Sequence, residues 1–227
     1  MKYFEPLHIA FENAADKTLA AGMKNYMRDK FDYYGIKAPV RDSVIASFLK
    51  ERPVKEIYNP AEAVKYCWDQ PQREWQYTGM QIFAKMAPKA GENYLEIAEY
   101  MIGNKSWWDT VDFIASNIVG VYLKKNPGQR DKWITRWMKS ENMWLQRVCI
   151  LFQLKYGRDT DQELLFSLCQ QLSEHNDFFI RKAIGWALRQ YSKTNSAEVI
   201  AFVNSHILSP LSVKEAMKAI ERKEILF

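Results

Sequence analysis

At 227 residues, 48% of them hydrophobic, the chain carries enough apolar side chains to bury a sizeable core, which excludes an intrinsically disordered protein. Its formal net charge of +5 is a mild basic excess that suits a polyanionic partner without requiring one. Three separated cysteines (Cys67, Cys149, Cys169) and three scattered histidines (His8, His175, His206) exclude a disulfide framework and make a zinc or iron site improbable, so reduced buried thiols and no metal or other cofactor are expected.

The N-terminus shows no cationic-then-apolar signal segment, and no run approaches the roughly 18 apolar residues of a membrane span, so a cytoplasmic protein with no membrane partner is expected. From there on nearly every segment has helical periodicity and almost none alternates with period two. Between Trp144 and Leu154, for example, Ile150, Leu151 and Leu154 follow Arg147 at three, four and seven residues, which is one helical face. The breaks are short: Asn59-Pro60, Gln70-Pro71, Asn126-Pro127-Gly128, Tyr156-Gly157 and Ser209-Pro210. Their spacing predicts roughly ten to twelve helices in a single all-α domain covering residues 1–227.

A weak internal repeat runs through the middle of the chain. Trp75, Trp107, Trp144 and Phe178 each stand near a predicted helix start, at intervals of 32, 37 and 34 residues. Three residues further on come Thr78, Thr110, Arg147 and Arg181, and seven further on Ile82, Ile114 and Leu151, with Gly185 breaking the last column. A period in the middle thirties is that of a two-helix unit stacked on its neighbours. No TPR consensus is visible, which leaves a HEAT-like array. The aromatic column is either repeat-spaced core or the lining of a concave face.

The stretch from Ser106 to Asp112 holds the first candidate chemistry. Ser106 reads as an N-cap with Asp109 three residues later, a capping-box-like pair that gives Asp109 a structural job. Trp108 and Asp112 are four apart and share a helical face. Such a pair is either a partly buried indole beside a solvated carboxylate, or an aromatic wall with a carboxylate aimed at a cationic centre. Arg147 lies on or beside an apolar stripe, where a guanidinium needs a carboxylate across the helix interface or a phosphate from outside. Trp186 sits one turn after Lys182 and one turn before Arg189, an aromatic among cations of the kind common on nucleic-acid surfaces. Near the end, Ser209-Pro210 and Ser212 with Glu215 predict a turn and a helix capped by Ser212; Ala216, Ile220 and Ile225 give that helix an apolar side as a terminal cap.

Ser106-Trp107-Trp108-Asp109-Thr110-Val111-Asp112, Trp144-Leu145-Gln146-Arg147 and Lys182-Ala183-Ile184-Gly185-Trp186 together resemble the AlkD family of DNA alkylation repair glycosylases, in order and spacing from about Tyr26 to about Ile220. The resemblance implies a C-shaped HEAT-like solenoid with a basic concave face for double-stranded DNA. It implies Asp112 as the catalytic carboxylate, Trp108 and Trp186 as aromatic walls, and Arg147 as a phosphate or carboxylate partner in the cleft. Tyr26, Lys37 and Arg41 would join Lys182 and Arg189 as DNA contacts. One departure lies at Asp42, where relatives tend to carry a second basic residue after the proline-proximal arginine; this puts the contacts around Arg41 in doubt.

The expected activity is hydrolysis of the N-glycosidic bond of N3- and N7-alkylated purines, such as 3-methyladenine and 7-methylguanine, by a monomeric monofunctional glycosylase. An alkyl group at either position makes the base cationic, so it departs as a neutral molecule without a general acid. A carboxylate then has only to face the positive charge developing on the sugar and to orient a water. Two other classes remain open on the residues alone: a non-catalytic HEAT-like protein that binds distorted or branched DNA, and a protein-interaction scaffold.

Overall fold

Helix starts in this chain are written locally. Asp16 accepts hydrogen bonds from the amides of Thr18 and Leu19, Asn59 from Ala61 and Glu62, Asn142 from Trp144, Asp161 from Leu164, and Asp177 from Phe179 and Ile180. Each side chain satisfies donors that the first helical turn leaves without partners, and Pro60 adds a backbone preset for the first helical position. The computed structural model describes residues 2–86 and 91–224. Among the described residues there are thirteen helices, short 3-10 turns, one isolated bridge between Asp32 and Gln72, and no strand. The all-α expectation holds, with one helix more than the upper end of the predicted range.

The chain forms two compact units, residues 1–105 and 106–227. The first contains α1 (Glu5–Asn13), α2 (Lys17–Tyr26), α3 (Ala38–Glu51), α4 (Pro60–Asp69), α5 (Arg73–Lys85) and α6 (Tyr94–Gly103). Its core is aromatic: Trp75 is fully buried among Phe4, Phe11 and Tyr66, with ring centroids 5.3–5.9 Å away.

The second unit contains α7 (108–125), α8 (Arg130–Met138), α9 (Met143–Leu151), α10 (Gln162–Gln171), α11 (Phe178–Ser192), α12 (Ser196–Ser205) and α13 (Pro210–Glu224). α7 is α-helical over Trp108–Phe113, π-helical over Ile114–Val119 and α-helical again over Gly120–Lys125. At Gly120 a β-carbon would come within 2.2 Å of the Phe152 carbonyl oxygen, so only glycine permits this approach of the chain after α9.

Two predicted caps are displaced by one turn or less. α7 starts at Trp108 with Trp107, not Ser106, in the N-cap position, because Lys105 takes a left-handed φ of 49° and Trp107 is extended. α13 starts at Pro210, and its cap is Ser209, whose Oγ accepts from the Ser212 amide at 3.1 Å. Proline needs no partner for its own nitrogen and fits the first helical position, which pulls the start three residues ahead of the predicted one. Ala216 and Ile220 are buried as expected, whereas Ile225 lies outside the described residues.

The aromatic column splits into two kinds. Trp75 is core, while Trp107 and Trp144 cluster with Phe179 and not with Phe178: the centroids of Trp107, Trp144 and Phe179 lie 5.0–5.7 Å apart, and Phe178 is 52% exposed. The repeat register therefore shifts by one residue at α11, because Asp177 caps that helix and directs Phe178 outward. The interruption at Gly185 has its own cause. A β-carbon there would meet the Glu215 β-carbon at 2.4 Å and the Ser212 carbonyl oxygen at 2.7 Å, so the glycine is what lets α13 lie directly on α11.

Candidate functional site in residues 106–227

Trp108 and Asp112 stand one turn apart on α7, and the neighbouring helices supply the groups that fix the carboxylate. From α9, Arg147 donates through Nε to Asp112 Oδ1 at 2.8 Å and through Nη2 to Oδ2 at 2.9 Å. Its Nη1 donates to the Phe179 carbonyl oxygen in the first turn of α11. The guanidinium is thus shared by three helices, with 5% of its side chain exposed against 15% for Asp112. An arginine on an apolar stripe required such a partner, and the partner is a carboxylate across the helix interface.

Burial pushes the Asp112 carboxyl above its ordinary value, and the two hydrogen bonds and the charge of Arg147 oppose that rise; Asp109 adds to it from the same helix. Asp109 itself sits in the first turn of α7, where a negative charge suits the helix dipole. A bidentate arginine takes one lone pair from each carboxylate oxygen, which leaves one on each for a water or a positive centre. Ser116 donates to the Asp112 carbonyl oxygen at 3.0 Å and Asn117 to that of Phe113, so the π-helical stretch is tied back onto the turn that carries the carboxylate.

Of the eight tryptophans, Trp68, Trp75, Trp107, Trp133 and Trp137 are buried, and Trp108, Trp144 and Trp186 are half-buried. Both rings expected to line a site, Trp108 and Trp186, are among the three that are half-buried. Trp186 lies on α11 two turns beyond Phe179, on the side of the helix that also carries Lys182.

Lys182 and Arg189 meet at Glu215, the residue expected to pair with Ser212 in a cap. Glu215, on α13, accepts from Lys182 Nζ at 2.7 Å, from Arg189 Nη1 at 3.1 Å and from Lys218 Nζ. Burial alone raises the Glu215 carboxyl, but the hydrogen bonds and charges of Lys182 and Lys218 outweigh it and hold the group at about 2. The sequence marks Glu215 only as the capping partner of Ser212; its contacts on α11 depend on the close approach at Gly185.

The remaining expected contacts are in the first unit. Tyr26 is 72% exposed at the end of α2, and Lys37 is exposed at the N-cap of α3. Arg41 is largely covered, stacked over the Tyr77 ring at 4.5 Å, and it donates to Asp42 at 3.2 Å; Gln81 also donates to Asp42. The departure at Asp42 thus engages Arg41 directly. The segment before α3 is anchored by Glu74, which is buried and accepts from the amides of Tyr34, Gly35 and Ile36 at 3.0–3.1 Å. No sequence signal singled out Glu74.

All three cysteines are buried, and burial pushes the Cys169 thiol up to about 12. Among the described residues there is no group of three or more His, Cys, Asp or Glu side chains fit to hold a metal ion, and no helix is long and apolar enough to cross a membrane.

An all-helical chain with a part-buried carboxylate held by an arginine from a neighbouring helix has relatives among known proteins. A model of the DNA alkylation repair enzymes matches residues 7–220, and the chain belongs to that family. It is similar to a solved structure described as a "Predicted DNA alkylation repair enzyme from Enterococcus faecalis": 30% identity, a TM-score of 0.83, and coverage of 90% of this chain and 95% of that one. No curated protein matches the chain.

Proposed function

We propose that the protein is a monofunctional DNA glycosylase that releases cationic N3- and N7-alkylated purines from duplex DNA. The observation that carries this reading is the Asp112 carboxylate, fixed through both oxygens by Arg147 one helical turn from Trp108. Family membership gives the context of alkylation repair.

The chemistry asked of the site is small. The C1′–N bond of an N3- or N7-alkylated purine breaks with its electron pair leaving on the base, which neutralises the base's positive charge. The deoxyribose is left with oxocarbenium character, and water adds at C1′ and loses a proton. Asp112 contributes electrostatic stabilisation of that sugar and a lone pair to orient or deprotonate the water. Arg147 holds the carboxylate in one orientation before substrate arrives, so no reorganisation is needed at the moment of reaction. Trp108 and Trp186 offer aromatic faces to a cationic sugar and exclude bulk water, which strengthens the field of a single carboxylate.

The deciding assay is release of free methylated base from alkylated duplex DNA by the purified protein, with Asp112→Asn as the comparison. Release by the wild type and its loss in the variant support the glycosylase. Salt-sensitive DNA binding with no base release by the wild type would replace it with the non-catalytic DNA-binding reading, to which the covering of Arg41 by Tyr77 and Asp42 gives no extra support.

A further inference from the structure

The clamp on Asp112 ends at a peptide group, and that peptide is itself held from behind. Arg147 Nη1 donates to the carbonyl oxygen of Phe179. The Phe179 carbonyl and the Ile180 amide are the two ends of one planar peptide unit, so fixing one end fixes the other. Asp177 Oδ1 accepts from that Ile180 amide at 3.4 Å and from the Phe179 amide at 2.7 Å. One carboxylate oxygen therefore holds the peptide whose carbonyl supports the arginine that orients Asp112. Along this chain an acid, a peptide dipole, a guanidinium and a second acid follow one another, an order in which each hydrogen bond polarises the next.

Phe179 is also pinned by its ring, whose centroid lies 5.0 Å from that of Trp107 and 5.1 Å from that of Trp144. The turn that carries Asp177 is fastened in its turn. The Asp177 amide donates to His175 Nδ1 at 3.0 Å. Arg181, the last residue of the repeat column, donates from Nε to the His175 carbonyl oxygen at 2.9 Å and from Nη2 to Asn176 Oδ1 at 2.8 Å. A cap that served α11 alone would need only its two amide bonds. Here the capped peptide also supports a guanidinium with 5% of its side chain exposed, and at that depth a lost acceptor is costly.

We propose that Asp177 is a positioning residue for Asp112, acting through the Phe179–Ile180 peptide and Arg147. Without it the first turn of α11 frays, the Phe179 carbonyl swings, and Arg147 loses the anchor that sets its fork against the carboxylate. The consequence for base release rests on the proposed function; the orientation of the Arg147–Asp112 pair does not.

The test compares Asp177→Ala, Asp177→Asn and Asn59→Ala with wild type, each checked for folding by circular dichroism. Asparagine caps a helix as well as aspartate and keeps the acceptor. Asn59 caps α4 in the first unit with the same two-amide pattern, so its variant controls for the loss of a cap as such. The first readout is titration of the Asp112 carboxyl by carbon-13 NMR, which needs no activity. Arg147 opposes the burial of Asp112, and Asp109 acts on the side of burial. Loosening Arg147 therefore raises the Asp112 midpoint in Asp177→Ala and leaves it in place in the other two. The second readout is single-turnover release of 7-methylguanine. It is expected to fall on the order of ten- to a hundredfold in Asp177→Ala, as when a distant change displaces a reacting group slightly, and to stay near wild type in the other two. In an Arg147→Gln background Asp177→Ala should lower release no further, because the residue through which it acts is gone. Should Asp177→Ala not fold, Asp177→Gly, the mildest loss of a cap, takes its place.

An unmoved Asp112 midpoint in the folded Asp177 variant overturns the inference, whether or not the protein releases base. A full further loss in the Arg147→Gln background overturns it as well, as does an Asp177→Asn protein as impaired as Asp177→Ala. Wild type that releases no base, with the midpoint shifted as expected, removes the glycosylase reading and supports the positioning of Asp112.

Discussion

Arg147 holds Asp112 through both carboxylate oxygens, at 2.8 and 2.9 Å, and its remaining nitrogen is fixed by the Phe179 carbonyl. One side chain therefore sets the orientation of the carboxylate and ties together the starts of α7 and α11.

Asp112→Asn keeps the size of the side chain and removes its charge. Single-turnover release of 7-methylguanine is expected to fall on the order of a hundred- to a thousandfold, as for loss of one preorganised electrostatic group. Binding of undamaged duplex should change far less. Equal loss of binding and release would place Asp112 in recognition and not in catalysis.

The pH dependence follows from burial. In the proposed mechanism the active form of Asp112 is the carboxylate; burial raises its pKa above the ordinary 3.8, with Arg147 acting against that rise. Release is therefore expected to fall with decreasing pH at values above those of an ordinary aspartate. In Arg147→Gln the opposing influence is gone, so the acid limb of the single-turnover profile should move to higher pH. A limb that stays put would mean that another group titrates.

Glu215 acts in the opposite sense. Its folded pKa of about 2 lies below the ordinary 4.5, so its contribution to stability is present above the ordinary value and is lost as pH falls toward 2. Urea denaturation of wild type and Glu215→Gln between pH 7 and pH 3 should show the gap between them closing on the acid side. A constant gap would show that the carboxylate's charge contributes nothing.

Gly185→Ala is expected to destabilise by about 1–3 kcal/mol, the usual cost of overpacking. The added methyl meets the Glu215 β-carbon at 2.4 Å and a backbone oxygen at 2.7 Å, neither of which is the free end of a flexible chain. Gly22 on α2 has open space at the same position, so Gly22→Ala should be neutral or stabilise by up to about 1 kcal/mol through helix propensity. Urea midpoints of the two variants on either side of wild type would bear this out; a stabilised Gly185→Ala would show that α13 can shift away from α11.

Glu74→Gln replaces a carboxylate that accepts three backbone hydrogen bonds at 3.0–3.1 Å. Loss of charge-assisted bonds in a buried site should cost about 3 kcal/mol, as hydrogen bonds to charged groups suggest. Hydrogen exchange reads it locally: the amides of Tyr34, Gly35 and Ile36 should lose protection ahead of the rest of the unit. Uniform loss across the unit would make Glu74 a general core residue.

The all-helical fold was legible because it rests on short-range periodicity, whereas the two helix starts read from the sequence, at Ser106 and Ser212, were displaced by the extended Trp107 and by Pro210. Asp16, Asn59, Asn142, Asp161 and Asp177 cap within three residues of themselves. Trp108 and Asp112 share a face by helical geometry alone, and the family strings around them gave their expected roles. The need of Arg147 for an anion was also readable, since a guanidinium among apolar residues cannot stay unpaired. Which anion it takes was not. Asp112 lies thirty-five residues earlier in the chain, and only the packing of α9 against α7 brings the two together. The same holds for Glu74 and Glu215. Each is an ordinary charged residue in its local pattern, and its role is set by backbone amides or cations from distant segments. Electrostatic pairing across helices depends on distances of about 3 Å that no periodicity encodes. The sequence determined the helices and the residues able to do chemistry; the tertiary structure decided which charges are spent on one another and which remain toward solvent.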